Sequence, residues 1–203
     1  MHEYTTAYHD RKPAYYILAV LSGIIGIGIA FLIKAISDFS GLVVAAPSGI
    51  ALYGLLFIML DKFIWKWPWL YSLGIIKIPD LNGDWKAEIS SSANDNKILA
   101  QVKIHQTYSK IQIHLETEKS DSLSQMAALD MASPHMFTLR YEYSAEFRRD
   151  ESSQIMRHYG VTSVKLKSAD HKFSDIHPAV YYTEQGRDSH GEMSFSRVVK
   201  NAK

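Results

Sequence analysis

Several strand-like segments of this chain repeat one chemistry at every second position. Ser122 and Ser124, Tyr141 and Tyr143, His158 and Gly160, and Tyr181 and Thr183 each stand two apart, with Thr117 and Ser120 just before the first pair. In an extended strand such pairs share a face. Lys119 and Arg187 stand in adjoining turn-like stretches. Hydroxyls, stacking rings and a few cations are what a ligand with bases, sugars and phosphates needs. A plainer reading stays open beside it. Tyrosines at the ends of a barrel also fill space with the hydroxyl in water, and serines and threonines also bond across strands.

Catalysis finds less support. The chain has no cysteine, which excludes disulfides, thiolate metal sites and a cysteine nucleophile. No GxSxG elbow, Walker loop or dinucleotide fingerprint is present. Of nine histidines, His105 and His114 fall on outward faces and His171 and His177 flank a loop, without an established ligand spacing. The expectation is a binding protein, not an enzyme, with no metal and no cofactor. A net charge of +1 over 203 residues gives no argument for DNA or RNA.

The elements that must position these residues are strands. Apolar residues alternate with polar ones at Trp85–Ile89, Ile98–Ile104, Ile111–Leu115 and Phe137–Tyr143. Further strands fit near Ser122–Ala128, Met156–Leu166, Val180–Gln185 and Gly191–Val199. About eight one-sided strands with no amphipathic helix to cover an edge predict a closed antiparallel up-and-down β-barrel, with a sandwich as the alternative. Simple hairpin connectivity then sorts the inward residues by end. Trp85, Gln106, Leu166 and Arg197 fall where the chain enters from the membrane. The hydroxyl and tyrosine set, with Gly160, falls at the far end.

Ahead of this domain lie two apolar runs, Ala14–Ile33 and Gly41–Leu60, each of the length needed to span about 30 Å of hydrocarbon. They predict a membrane helical hairpin with Pro47 kinking its second arm. Small residues at Ala19, Ser22, Gly23, Gly26 and Ala30 would let helices approach closely, within the hairpin or between subunits. Arg11, Lys12, Lys62 and Lys66 flank the runs, against Lys34 alone between them. That bias predicts both termini in the cytoplasm. The expected organisation is a cytosolic tail (1–13), transmembrane helices (14–33 and 41–60), an interfacial linker (61–78) and a cytosolic ligand-binding β-barrel (79–203). Trp65, Trp67, Trp69 and Tyr71 read as an interfacial belt.

The order of certain motifs behind the hairpin carries a resemblance. They are IPDLNGDW (Ile78–Trp85), IHQTYSKIQIHLET (Ile104–Thr117), SDSLS (Ser120–Ser124), LRYEY (Leu139–Tyr143), HYG (His158–Gly160), YYT (Tyr181–Thr183) and GEMSFSR (Gly191–Arg197). With them the chain resembles the two-transmembrane, β-strand-rich effectors of bacterial cyclic-oligonucleotide-based anti-phage signalling systems (CBASS). The resemblance implies a β-barrel that senses a cyclic dinucleotide made by a partner nucleotidyltransferase during infection. It implies self-association of the membrane helices, disruption of the inner membrane and death of the infected cell. Ligand-binding residues implied at the matched positions are Ser122, Ser124, Tyr141, His158, Tyr181, Thr183 and Arg197, and the residue-level reading adds Arg187. Tyr141 and Tyr181 would stack on bases, and the hydroxyls would bond phosphate or ribose. Ala179 departs from the pattern, which expects glycine before YYT. The family also suggests a pyrimidine–purine ligand such as 3′,3′-cyclic UMP–AMP, the bases being left open by this sequence. The other readings are a membrane-tethered carrier or sensor of a small apolar molecule, and a structural membrane adaptor with a solid interior.

Overall fold

Alternation at period two becomes strands wherever one face can be buried. The computed structural model describes residues 1–41, 45–92, 94–133, 136–147, 157–169, 172–173, 176–184 and 189–198. It has β1 (His2–Ala7), α1 (Lys12–Ser40), α2 (Gly49–Lys62), a 3-10 turn (Ile64–Lys66) and α3 (Pro68–Ser72). The strands β2 (Gly83–Ser91), β3 (Asn94–Gln106), β4 (Lys110–Glu116), β5 (Ser120–Ser133) and β6 (Met136–Phe147) follow. Then come β7 (Arg157–Ala169), β8 (Lys172–Phe173), β9 (His177–Thr183) and β10 (His190–Arg197). The chain divides into two compact units, one of residues 1–9 and 78–203, the other of residues 10–77.

The first unit is built on a mostly antiparallel sheet. From β2 to β7 each strand pairs with the next, β7 pairs β9, β9 pairs β10, and β10 pairs back to β2. Following the pairings through these eight strands therefore returns to the start. The buried residues are the alternate ones the sequence marks, such as Trp85, Ala87 and Ile89 on β2 and Phe137, Leu139, Tyr141 and Tyr143 on β6. At about 25 cal/mol per Å² of apolar surface, such inward faces supply the main drive for folding. Ala179 takes its place in the ladder opposite Met193 and Val164, so the residue where glycine was expected leaves the pairing intact.

Two strands were not foreseen, the two-residue β8, which pairs with the end of β7, and β1. Residues expected as a tail form β1, which runs parallel to β5 (Tyr4 opposite Ala127 through Ala7 opposite Asp130). It also pairs with β4 at His2–Ile111 and Glu3–Lys110. It fills a fork, because β4 and β5 pair with each other only from His114–Leu123 to Glu116–Asp121.

Among its described residues the second unit contains one helix long and apolar enough to cross a membrane, Lys12–Phe39. The second arm differs from its expected span. Its helix begins only at Gly49, and its 14 residues are about 21 Å long, short of the roughly 30 Å hydrocarbon core. Pro47 does not kink it but stands ahead of it. A proline disfavours helix in the residue before it, and Ser48 caps the start by accepting from Ala51 N at 3.2 Å. Residues 42–44 of the expected span lie outside the described residues. Of the small residues of α1, Ser22 and Gly26 lie on its packed side, against α2 at Gly26, whereas Ala19, Gly23 and Ala30 are exposed. Ser22 is buried, Leu52 lies 3.4 Å from where a Cβ on Gly26 would stand, and the Tyr15 and Phe57 ring centroids are 5.8 Å apart. The opposite face of α1, with Tyr16, Val20, Ile24, Ile27 and Phe31, is exposed. Trp65 is fully buried and does not join the exposed Trp67 and Trp69 of the expected belt.

Candidate ligand-binding site

The interior of the ring differs between its ends. Towards Trp85 it is packed solid. Leu81, Trp85, Ile104, Ile113, Leu139, Val164, Leu166 and Phe195 leave a void of only about 10 Å³, at the lower limit for one water. Trp85 Nε1 donates to Leu81 O at 3.0 Å. Gln106 closes the same end, accepting from Leu81 N at 2.7 Å and donating to Pro79 O at 3.2 Å.

At the other end all eight strands line a cavity of about 710 Å³, within the roughly 300–1,000 Å³ of small-ligand sites. Ser122, Tyr141, His158, Tyr181 and Thr183 of the expected set line it, together with Thr117, Ser120, Tyr143 and Lys119. The remaining expected residues go elsewhere or cannot be placed. Ser124 is buried but occupied, accepting from Ile113 N at 2.8 Å and bonding His2 Nε2 at 2.8 Å. Arg197 lies at the packed end, four residues along β10 from the cavity residue Met193. Its guanidinium donates to the carbonyls of Asp80 and Asn82 and lies over the Trp85 ring, 5.5 Å from the centroid. Its role there is to fasten the entering chain. Arg187 lies outside the described residues.

Tyr141 forms the floor, lining both the void and the cavity. Burial pushes its hydroxyl well above the usual phenol range, the Thr162 hydroxyl pulls the other way, and Tyr143 adds a smaller upward push. The group stays neutral and able to donate at any physiological pH. One wall is aromatic: Tyr143 meets His158 edge-on at 6.3 Å, and His158 lies 5.5 Å from Phe147. Glycine makes room for these rings. A Cβ on Gly160 would sit 2.6 Å from Tyr143 Cζ and from Tyr182 O. On Gly191 it would collide with the Ser90 carbonyl and lie 2.7 Å from Tyr181 Cε1. Both glycines stand directly across a ladder from the tyrosine they admit.

Two hairpin ends at the rim use the same clasp. Thr117 N donates to Ser120 O at 2.8 Å, and Ser120 N donates back to Thr117 Oγ1 at 2.9 Å. Thr183 N donates to Ser189 O at 3.0 Å, and Ser189 N returns to Thr183 Oγ1 at 3.0 Å. Thr183 therefore shapes the rim as well as lining it. The cations among the described lining residues are Lys97 and Lys119, with Glu118 beside them. Lys97 also reaches Glu88 at 3.5 Å.

Such a chamber, walled by rings and hydroxyls and rimmed by lysines, can take a flat, polar, anionic ligand. The family described as "Cap15, cyclic dinucleotide receptor domain" matches residues 76–197, more than half of the chain. The chain belongs to this family. The resemblance read from the ordered motifs therefore holds. CD-NTase-associated protein 15 of Yersinia aleksiciae is 28% identical over 144 residues, which is 70% of this chain and 66% of the relative. The chain thus spans a little under two thirds of that relative's length.

Among the lining residues of the receptor domain that sequence reasoning passed over are Thr162, Ser189, Lys97 and Met193. Thr162 carried a signal, because it continues the alternation of His158 and Gly160. Ser189 sits where a strand meets a turn, and there alternation says nothing about direction; Lys97, next to Ile98 on β3, falls on the outward parity and pairs with Glu88 there.

Proposed function

We propose that this protein is a CBASS effector whose receptor domain is a closed up-and-down β-barrel that binds a cyclic dinucleotide in the cavity above Tyr141. The single observation that carries this reading is the division of the ring interior, solid at Trp85 and hollow at Ser122, within a domain of the cyclic dinucleotide receptor family. Tyr143 and Tyr181 offer faces for two bases. Ser122 offers a hydroxyl for ribose or phosphate, and Lys97 and Lys119 neutralise the dianion. Arg197 is left out of the ligand shell. The solid-interior adaptor fits a hollow end poorly, and an apolar carrier fits one rich in hydroxyls no better.

The helices then act as a two-pass hairpin in the bacterial inner membrane. Sheet topology favours two passes despite the short second helix. β1 precedes α1 and β2 follows α3, yet both belong to one sheet. That shared sheet favours an even number of crossings over a single one. Ligand binding drives self-association through the exposed face of α1, and the gathered helices breach the membrane. The ligand shifts this equilibrium only by its differential affinity for the assembled state.

The test is the melting temperature of the full chain in detergent against a panel of cyclic dinucleotides, 3′,3′-cyclic UMP–AMP included. A ligand at 100 times its Kd adds about 2.7 kcal/mol of stability, a shift of several degrees. A flat panel from a folded protein would sink the receptor reading. The fragment 79–203 is unsuitable, since it lacks β1.

A further inference from the structure

The family match begins at residue 76, yet the sheet is completed by residues 2–7. The fork filled by β1 is a built acceptor for an extended segment. Tyr4 is buried, and its hydroxyl donates to Tyr108 O at 3.1 Å and accepts from Gln106 Nε2 at 3.2 Å. Gln106 also holds Leu81 N and Pro79 O, in the segment that returns from the helices. One buried amide thus ties together the strand that leads to α1 and the segment that leads back.

The other end of β1 comes within two residues of the cavity lining along β5. His2 Nε2 bonds Ser124 Oγ where β5 shifts register and changes partner from β4 to β1. Ser124 is two residues along β5 from Ser122, which lines the cavity. Tyr8, at the exit of β1, has φ +63°, a left-handed conformation that costs a non-glycine residue free energy and marks a fixed turn.

We infer that β1 is a coupling strand: docked in the fork of its own chain, it links occupancy of the cavity to the first membrane helix. This rests on the receptor reading above. Linkage makes the effect reciprocal, so ligand tightens β1 in the fork and a loosened β1 weakens the ligand.

The absence of native cysteine permits a clean test in the full chain reconstituted in vesicles. Thr5 and Ala128 are paired neighbours with outward side chains, and adjacent strands bring Cα atoms within disulfide range, about 4.4–6.8 Å. The double variant Thr5→Cys/Ala128→Cys is expected to oxidise within one chain. Cyclic dinucleotide is expected to slow amide exchange of residues 3–7 by about tenfold, and Tyr4→Phe to weaken binding by about tenfold. Oxidising the cysteine pair in the Tyr4→Phe background is expected to restore the affinity, which a strand serving only as a strut would not do. Disulfide-linked dimers would overturn docking within the chain. Normal ligand binding with unchanged β1 exchange and wild-type affinity in Tyr4→Phe would overturn the coupling alone. A wild-type protein that binds no cyclic dinucleotide would overturn the receptor reading and the coupling with it.

Discussion

At the Trp85 end of the ring, large apolar side chains from opposite strands meet and exclude water. At the Ser122 end, the same eight strands carry serines, threonines and tyrosines and leave a chamber. The ladder differs too, since β1 stands between β4 and β5 toward the first end, but the volume of the inward side chains is what separates a filled interior from a hollow one. Four aliphatic residues, Ile104, Ile113, Val164 and Leu166, help to close the first end, whereas Ser122 and Thr162 are too short to meet across the second. Close packing stabilises, and its deliberate omission leaves room for a ligand at the cost of stability. The lesson concerns polar residues on inward faces. Where they satisfy one another, as in the Thr–Ser clasps, they shape a rim, and where they face a void they await a partner.

Substitutions at the two ends should therefore register in different measurements. Trp85→Ala should have the largest effect, about 3–5 kcal/mol in chemical denaturation of the full chain. An equal cost from Tyr181→Ala would erase the distinction between the ends. Arg197→Ala removes charged donors to two carbonyls of the entering chain and should cost about 1.5–3 kcal/mol of stability. Calorimetric affinity for a cyclic dinucleotide should hardly change, and a loss of binding in the folded variant would return Arg197 to the ligand shell. Tyr181→Ala should mainly affect binding, by about 1–3 kcal/mol if a base stacks there.

Smaller effects sharpen the picture. Lys97→Ala should alter stability by no more than about 1 kcal/mol, because its pairing with Glu88 is exposed. Its loss of ligand affinity should shrink as salt is raised, and a salt-independent loss would exclude a phosphate partner. Tyr141 gives a pH signature. Its folded-state pKa is raised, so its contribution is fully present below the unfolded tyrosine value, about 10, and declines as pH climbs toward the folded value. Denaturation midpoints should fall more steeply above that pH in wild type than in Tyr141→Phe, and identical slopes would show that the hydroxyl titrates freely.

Local pattern made much of this protein legible. The uncharged run Ala14–Ile33 lies within α1, which is long and apolar enough to cross a membrane. Period-two alternation gave the strands β2 to β7, β9 and β10, and with it the inward position of Tyr141, Tyr181 and Ser122, since a strand has only two faces. Hairpin connectivity even sorted Gln106 and Arg197 to the Trp85 end, where alignment with family motifs pointed the other way for Arg197.

Tertiary structure decided the rest, and in each case the reason is a partner distant in sequence. His2–Ala7 is short and polar, with Tyr4 its one buried residue, and nothing local distinguishes it from a tail. It becomes a strand because β4 and β5 part beyond Ser124, a fork that exists only once both have folded. Ser124 and Thr183 carry the right hydroxyls for a ligand, yet His2, Ile113 and Ser189 reach them first. The sequence by itself determined which residues point inward. Their spacing along the ring, their competitors for hydrogen bonds and the volume left between them were settled by the closing of long loops, and local alternation carries no record of that.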